Sequence, residues 1–159
     1  MKILSVDPGY DRVGIAVIER KTGEKEKLLY SDCFTTDKNR GLNERIFSVG
    51  QEIDRVIKQF SPNGLVLEKL YFSNNKITAM GVSEARGAII YEAHRNSLPV
   101  AEYTPVEIKV AVASYGKATK EEVYKMVEKL IDLPTKKRLD DEVDAIAIGL
   151  TAFAHKAFL

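Results

Sequence analysis

Apolar and polar positions follow two rhythms along this chain. Lys2 to Val6 is apolar and partly β-branched and stops at Asp7-Pro8-Gly9, which predicts a buried strand running into a turn. Val13 to Ile18 predicts a second strand, Thr22-Gly23 breaks it, and Lys27 to Phe34 predicts a third. Short turns between the three make an antiparallel meander. From Leu42 to Phe60 the rhythm changes: Leu42, Ile46, Val49, Ile53, Val56, Ile57 and Phe60 recur at helical steps and predict an amphipathic helix ended by Pro62-Asn63-Gly64. Leu65 to Leu67 is a short buried strand ending at Glu68. Ile77 to Arg95 predicts a second helix, with Ala79, Gly81, Ala85, Gly87 and Ala88 making a small-residue stripe suited to close packing or to a dimer face. Pro99 to Tyr103 is a fifth strand and Pro105 to Val112 a third helix. Thr119 with Glu122 three residues on forms a capping box for a fourth helix that Pro134 stops. Asp140 is expected to cap a last helix running to about Lys156.

The order β-β-β-α-β-α-β-α-α-α predicts one α/β domain over 1–159: a mixed five-stranded sheet flanked by helices. A length of 159 residues with 45% hydrophobic and 30% charged positions suits one folded core and excludes a disordered chain. The net charge of +1 excludes a strongly basic coat protein, yet a neutral sum can hide a basic face beside an acidic pocket. With one cysteine, Cys33, and two histidines, His94 and His155, any metal site is expected to use oxygen ligands. The longest apolar run, Ala145 to Ala154, is about half a membrane span, and the N-terminus lacks a signal-peptide pattern, so a cytoplasmic protein with no membrane partner is expected.

Four acidic residues stand out by position. Asp7 and Glu68 end two predicted strands, and ligands of open α/β sheets bind at the carboxyl ends of strands. Asp141 and Asp144 are three apart at the start of a small-residue helix, so both are expected on one side of it. Alone, each has an ordinary reading: turn chemistry for Asp7, a strand-end charge for Glu68, helix-dipole compensation for Asp141. Together they make a cluster of like charges, which cations relieve. Oxygen ligands favour Mg²⁺ or Mn²⁺, and a pair of ions would clamp both oxygens of a phosphoryl transfer.

Asp7-Pro8-Gly9 with the VGIAVI strand, Leu67-Glu68, the SEARG segment Ser83 to Gly87, and Asp141-x-x-Asp144-Ala-Ile-Ala-Ile resemble the RuvC family of bacterial Holliday-junction resolvases, from Lys2 to about Thr151. The resemblance implies an RNase H-like fold and a homodimer. It implies paired nicking of opposed strands of a four-way DNA junction, leaving 5′-phosphate and 3′-hydroxyl ends. The catalytic, metal-holding carboxylates would be Asp7, Glu68, Asp141 and Asp144, with two Mg²⁺ per site and Mn²⁺ as a substitute. Family lysines near the cleaved phosphate match Lys109 and Lys120, which otherwise read as solvated helix-face charges, and Lys117 in a Gly-containing turn is a further expected phosphate contact. The family's junction wedge, usually Phe, falls on Tyr71, with Phe72 beside it, unless the two rings serve core or dimer packing. A branch-migration motor complex is an implied partner. Lys136-Lys137-Arg138 reads first as a solvated loop and second as a phosphate contact.

Two other classes compete. An actin- or sugar-kinase-like ATPase also places an aspartate on a glycine-containing strand-turn-strand, but it needs a duplicated domain, and the chain has neither a repeat nor a Gly-x-x-x-x-Gly-Lys loop. A non-catalytic or RNA-processing nucleic-acid-binding relative of the same fold is the alternative; retention of all four carboxylates speaks against it.

Overall fold

A computed structural model describes residues 1–70 and 76–158, with the backbone alone for 76–78. Strands β1 (Lys2–Asp7), β2 (Arg12–Glu19) and β3 (Lys27–Thr35) are followed by α1 (Leu42–Phe60), β4 (Gly64–Glu68), α2 (Lys76–Arg95) and β5 (Val100–Tyr103). Helices α3 (Pro105–Ala113), α4 (Lys120–Leu130) and α5 (Asp140–Ala154) complete the chain. The sheet has five strands in the order β3-β2-β1-β4-β5. The meander is antiparallel, while β4 joins β1 and β5 joins β4 in parallel. This is the predicted element order, with ends differing by a residue or two except at the end of α4.

Strand periodicity sorts side chains onto two faces. Leu4, Val6, Val13, Ile15, Val17, Leu65 and Leu67 pack under α1 and α2 with Val49, Ile53, Val56 and Ile89. Ile3, Ala16, Ile18 and Val66 pack under α3, α4 and α5 with Ile108, Val127, Ile146, Ile148 and Phe153. The alternation continues to the strand ends. Asp7, two residues after Ser5, and Glu68, two after Val66, therefore fall on the α5 face. Val6 pairs with Leu67 in the parallel ladder, so Asp7 and Glu68 end neighbouring strands one step further on.

Helix α5 lies very close to this face, at two glycines. A Cβ on Gly149 would meet Ser5 Oγ at 2.7 Å and Ile18 Cδ1 at 2.8 Å. A Cβ on Gly14 of β2 would overlap the Asp141 carbonyl oxygen. A side chain at Gly14 would push the acidic end of α5 off the sheet, and one at Gly149 would press the later turns of α5 against Ser5 and Ile18.

The caps are local. Thr119 and Glu122 form the predicted box, and Thr104 with Glu107 forms a second ahead of Pro105. Helix α1 ends at Ser61, in the left-handed conformation (φ 47°), whose N–H donates to the Ile57 carbonyl. Two expectations are corrected. Asp140 is the first helical residue of α5, and Leu139 is its N-cap. Helix α4 stops at Leu130, before Pro134, because Ile131 turns into extended backbone and buries its side chain in the core. Among the described residues no helix is long and apolar enough to cross a membrane.

Candidate active site

The ends of β1 and β4, the first turn of α4, the second and third turns of α5, and α3 line an open cavity of about 360 Å³. Asp7, Glu68 and Asp144 line it together with Lys109 and Lys120. Pro105, Ile108, Val123, Ala147 and Ile148 make its apolar walls. The predicted meeting of strand-end and helix-start carboxylates is therefore seen for these three.

Like charge and burial act on them in the same direction. Burial, then the charges of Asp144, Glu68 and Asp141, push Asp7 from 3.8 up to about 8, with Lys120 opposing. Burial and Asp144 raise Glu68, again against Lys120 and Lys109. Burial raises Asp144, and its ion pair with Lys120 opposes the rise. Lys120 Nζ lies 3.3 Å from Asp144 Oδ2, and that carboxylate holds the ammonium above its usual range. The lysine is thus a counter-charge that the chain itself offers to these carboxylates.

Asp141 behaves differently. Residues three apart on a helix differ by about 60° in direction, enough to send their side chains to opposite sides of a strand. Asp144 points towards β1 and β4, whereas Asp141 lies over the β2–β3 side. Its Oδ2 is 3.0 Å from Arg12 Nη2 and accepts from the Cys33 thiol at 3.8 Å. It lines a neighbouring groove with Gly9, Tyr10, Arg12, Thr35, Lys38 and Val82. The expectation that Asp141 and Asp144 share one side is narrowed: they open onto adjoining pockets, and Asp141 stays close enough to raise both Asp7 and Asp144. Burial and Asp141 together push Cys33 up to about 11, so it remains a thiol.

The oxygen-only donors suit a hard divalent cation, and mutual repulsion calls for one. Among the described residues no three acidic, histidine or cysteine side chains are already closed around a metal position. Arg12 and Lys120 instead each hold one carboxylate. The oxygen donors fit such a cation, which would have to displace these two side chains to bind.

The remaining predicted residues divide. Lys109 and Lys120 face the cavity, while Lys117 is exposed in the turn between α3 and α4. Tyr71 and Phe72 lie outside the described residues. The basic run is corrected: Lys136 Nζ is 2.7 Å from Glu142 Oε1, and Arg138, with a side chain 3% exposed, lies 3.3 Å from the same oxygen. Only Lys137 of the three remains a solvated charge by its exposure and pairings among the described residues. Glu142 also accepts from Ser31 Oγ at 2.6 Å, which ties the first turn of α5 to β3. Sequence reading missed Arg12, Ser31 and Glu142. The four-residue spacing of Arg138 and Glu142 was the one signal; nothing local marks Arg12 or Ser31.

The small-residue stripe of α2 also divides. Gly81 and Ala85 face inward, where a Cβ on Gly81 would meet the Tyr10 ring at 2.7 Å. Gly87 faces open space, on the side where Met80 and Tyr91 are each 64% exposed.

Comparison with known proteins gives the chain its family. The family model for the crossover junction endodeoxyribonuclease RuvC matches residues 3–152. The RuvC of Moorella thermoacetica is 40% identical over 158 residues, covering 99% of this chain and 92% of that one. The RuvC of Thermotoga maritima is 38% identical over 149 residues, covering 94% and 88%. Thermus thermophilus RuvC in complex with a Holliday junction substrate superposes with a TM-score of 0.91 at 30% identity, covering 98% of this chain and 94% of that one. The yeast mitochondrial Holliday junction resolvase Ydc2, at 13% identity and a TM-score of 0.72, covering 98% and 78%, shares the fold. Matched over nearly its whole length in sequence and in structure, with a mixed five-stranded sheet and flanking helices of the RNase H-like kind, the chain belongs to the RuvC family of crossover junction endodeoxyribonucleases.

Proposed function

We propose that this chain resolves Holliday junctions as a homodimer, nicking two opposed strands and leaving 5′-phosphate and 3′-hydroxyl ends. The observation that carries the reading is the cavity where Asp7, Glu68 and Asp144 meet Lys109 and Lys120 at the ends of two parallel strands. Asp7, Glu68 and Asp144, with Asp141 from the adjoining groove, would hold Mg²⁺, for which Mn²⁺ is a substitute. Bound there, two such ions supply Lewis acidity to the attacking water and to the leaving oxygen. Asp7, the most perturbed of the carboxylates, feels the charges of the other three. Lys120, once released from Asp144, is free to neutralise a phosphate, and its ammonium stays charged throughout. Lys109 on the same rim positions a flanking phosphate, and Lys117, outside the cavity, meets the backbone further along. Tyr71 or Phe72 supplies the wedge at the branch point.

The outward side of α2, around Met80, Gly87 and Tyr91, is the dimer face we favour, because its large apolar groups are uncovered among the described residues. A branch-migration motor in the cytoplasm is the proposed further partner. The test is cleavage of a four-way junction against a linear duplex of the same sequence, with and without Mg²⁺. Paired nicks confined to the junction and to Mg²⁺ are expected. Junction binding with no cleavage under any divalent cation would replace this reading with that of a non-catalytic relative.

A further inference from the structure

Asp141 shares its groove with a second set of charges. The groove is about as large as the catalytic cavity, about 370 Å³, and lies on the other side of Asp141, between the β1–β2 turn, the end of β3 and α2. Its two carboxylates are both paired. Asp141 is held by Arg12, and Asp11 by Arg45 of α1, which also donates from Nε to Thr36 Oγ1 at 2.9 Å and stacks its guanidinium over the Tyr10 ring. The Asp11–Arg45 pair is anchored, since the Arg45 side chain is 11% exposed. The Arg12–Asp141 pair is not: the Arg12 side chain is 49% exposed on the rim and has one carboxylate partner among the described residues. Lys38, exposed in the same groove, makes no ion pair among the described residues. With Asp11 and Asp141 both neutralised, the groove is left with a net positive charge.

We propose that Arg12 exchanges Asp141 for DNA. In the metal-free protein Arg12 neutralises Asp141; when Asp141 is given over to a divalent cation, the guanidinium turns into the groove and, with Lys38, binds a backbone phosphate of the strand beside the cavity. This rests on the reading of Asp141 as a metal ligand. The physical argument is one of competition. A carboxylate lying against a guanidinium binds a cation less well than a free one, and a guanidinium engaged by a carboxylate binds a phosphate less well than a free one. Each ligand therefore frees the residue that the other needs. Coupling between two binding equilibria is reciprocal, so metal should tighten DNA binding by the same factor as DNA tightens metal binding.

The prediction has a sign that a purely structural ion pair does not share. Arg12→Gln should bind Mn²⁺ more tightly than wild type in the absence of DNA, by about threefold or more in titration calorimetry. The gain in junction affinity on replacing EDTA with Ca²⁺, read by gel shift, should shrink in Arg12→Gln by at least threefold. Arg12→Lys, which keeps the charge, should restore most of both effects. Lys38→Gln should weaken junction binding in Ca²⁺ and leave Mn²⁺ affinity unchanged. Thermal melts establish that each variant is folded, and a rim position with half its side chain in solvent tolerates these changes. If Arg12→Gln binds Mn²⁺ no more tightly than wild type and keeps the full Ca²⁺ gain, Arg12 is a structural clamp and the proposal fails. If both Arg12→Gln and Lys38→Gln bind junctions as wild type does in Ca²⁺, the groove does not hold DNA, and the proposal also fails. Asp141→Asn distinguishes this failure from a deeper one. Unchanged Mn²⁺ affinity in that variant would remove Asp141 from the metal site itself.

Discussion

Leu67 and Glu68 are neighbours in sequence and belong to opposite sides of the sheet. On the α1–α2 side, Leu4, Val6, Leu65 and Leu67 are buried and the packing is apolar out to the strand ends. On the α5 side, the same alternation runs through Ile3 and Ser5 to Asp7, and through Val66 to Glu68. The two faces are held by the same forces along most of their length and differ at the last position of each strand. One face is finished for stability. The other ends in carboxylates that repel one another, a stability cost of the kind that functional sites tolerate. Substitutions on the two faces should therefore move activity and stability in different directions.

The largest effect is expected from Asp7→Asn. It keeps the shape of the side chain and removes the most perturbed carboxylate, so nicking should fall by several kcal/mol of transition-state stabilisation, on the order of a thousandfold. Junction affinity should be equal or better, because a polyanion meets a less negative pocket. Cleavage and gel-shift assays on one preparation read both; a rate within tenfold of wild type would remove Asp7 from the site.

The second prediction sets the neighbours against each other. Leu67→Ala leaves a hole in the apolar face and should cost about 2–5 kcal/mol in denaturant unfolding. Glu68→Gln, one residue on, should unfold at the same or higher denaturant concentration than wild type in EDTA, while losing most of its cleavage. Equal destabilisation by both would show that the two faces are energetically alike at their ends.

The third is a pH dependence. Unfolded, Asp7 ionises near 3.8, and folded it does so near 8. Between these values the folded state holds the extra proton. Metal-free stability should fall as pH rises through this window, by up to about 1.4 kcal/mol per unit. Asp7→Asn should flatten that slope and melt above wild type at pH 8 in EDTA, with the difference closing towards pH 4. Asp144→Asn should show a smaller gain, because Lys120 already offsets its charge. Excess Mg²⁺ should stabilise wild type by ~2.7 kcal/mol at a hundred times its dissociation constant, and both variants less.

The smallest effects belong to the lysines. Lys120→Ala should lower the cleavage rate more than it weakens binding, since a phosphate contact there strengthens as charge develops. Lys117→Ala should weaken binding alone and reduce its salt slope by about one. Equal losses of binding with no rate effect in either would make Lys120 a positioning contact only.

Much of this architecture is local and readable along the chain. The alternation in Lys2–Asp7, the helical spacing of Leu42 to Phe60 and the Thr119–Glu122 box each depend on near neighbours, and the structure has them where the pattern puts them. The same parity that makes a strand two-faced determines that Asp7 and Glu68 share a side with Ser5 and Val66. Tertiary structure decided what lies opposite them. The divergence of Asp141 from Asp144 depends on how α5 is rotated over β2 and β3. That rotation is set by Gly14 and Gly149, and by Glu142 reaching across to Ser31, 111 residues away in the chain. The approach of Arg12 to Asp141 is likewise a long-range pairing that no local spacing encodes. Period and capping are properties of a few adjacent residues, whereas the partner of a charge is whichever element the fold brings within a few ångströms.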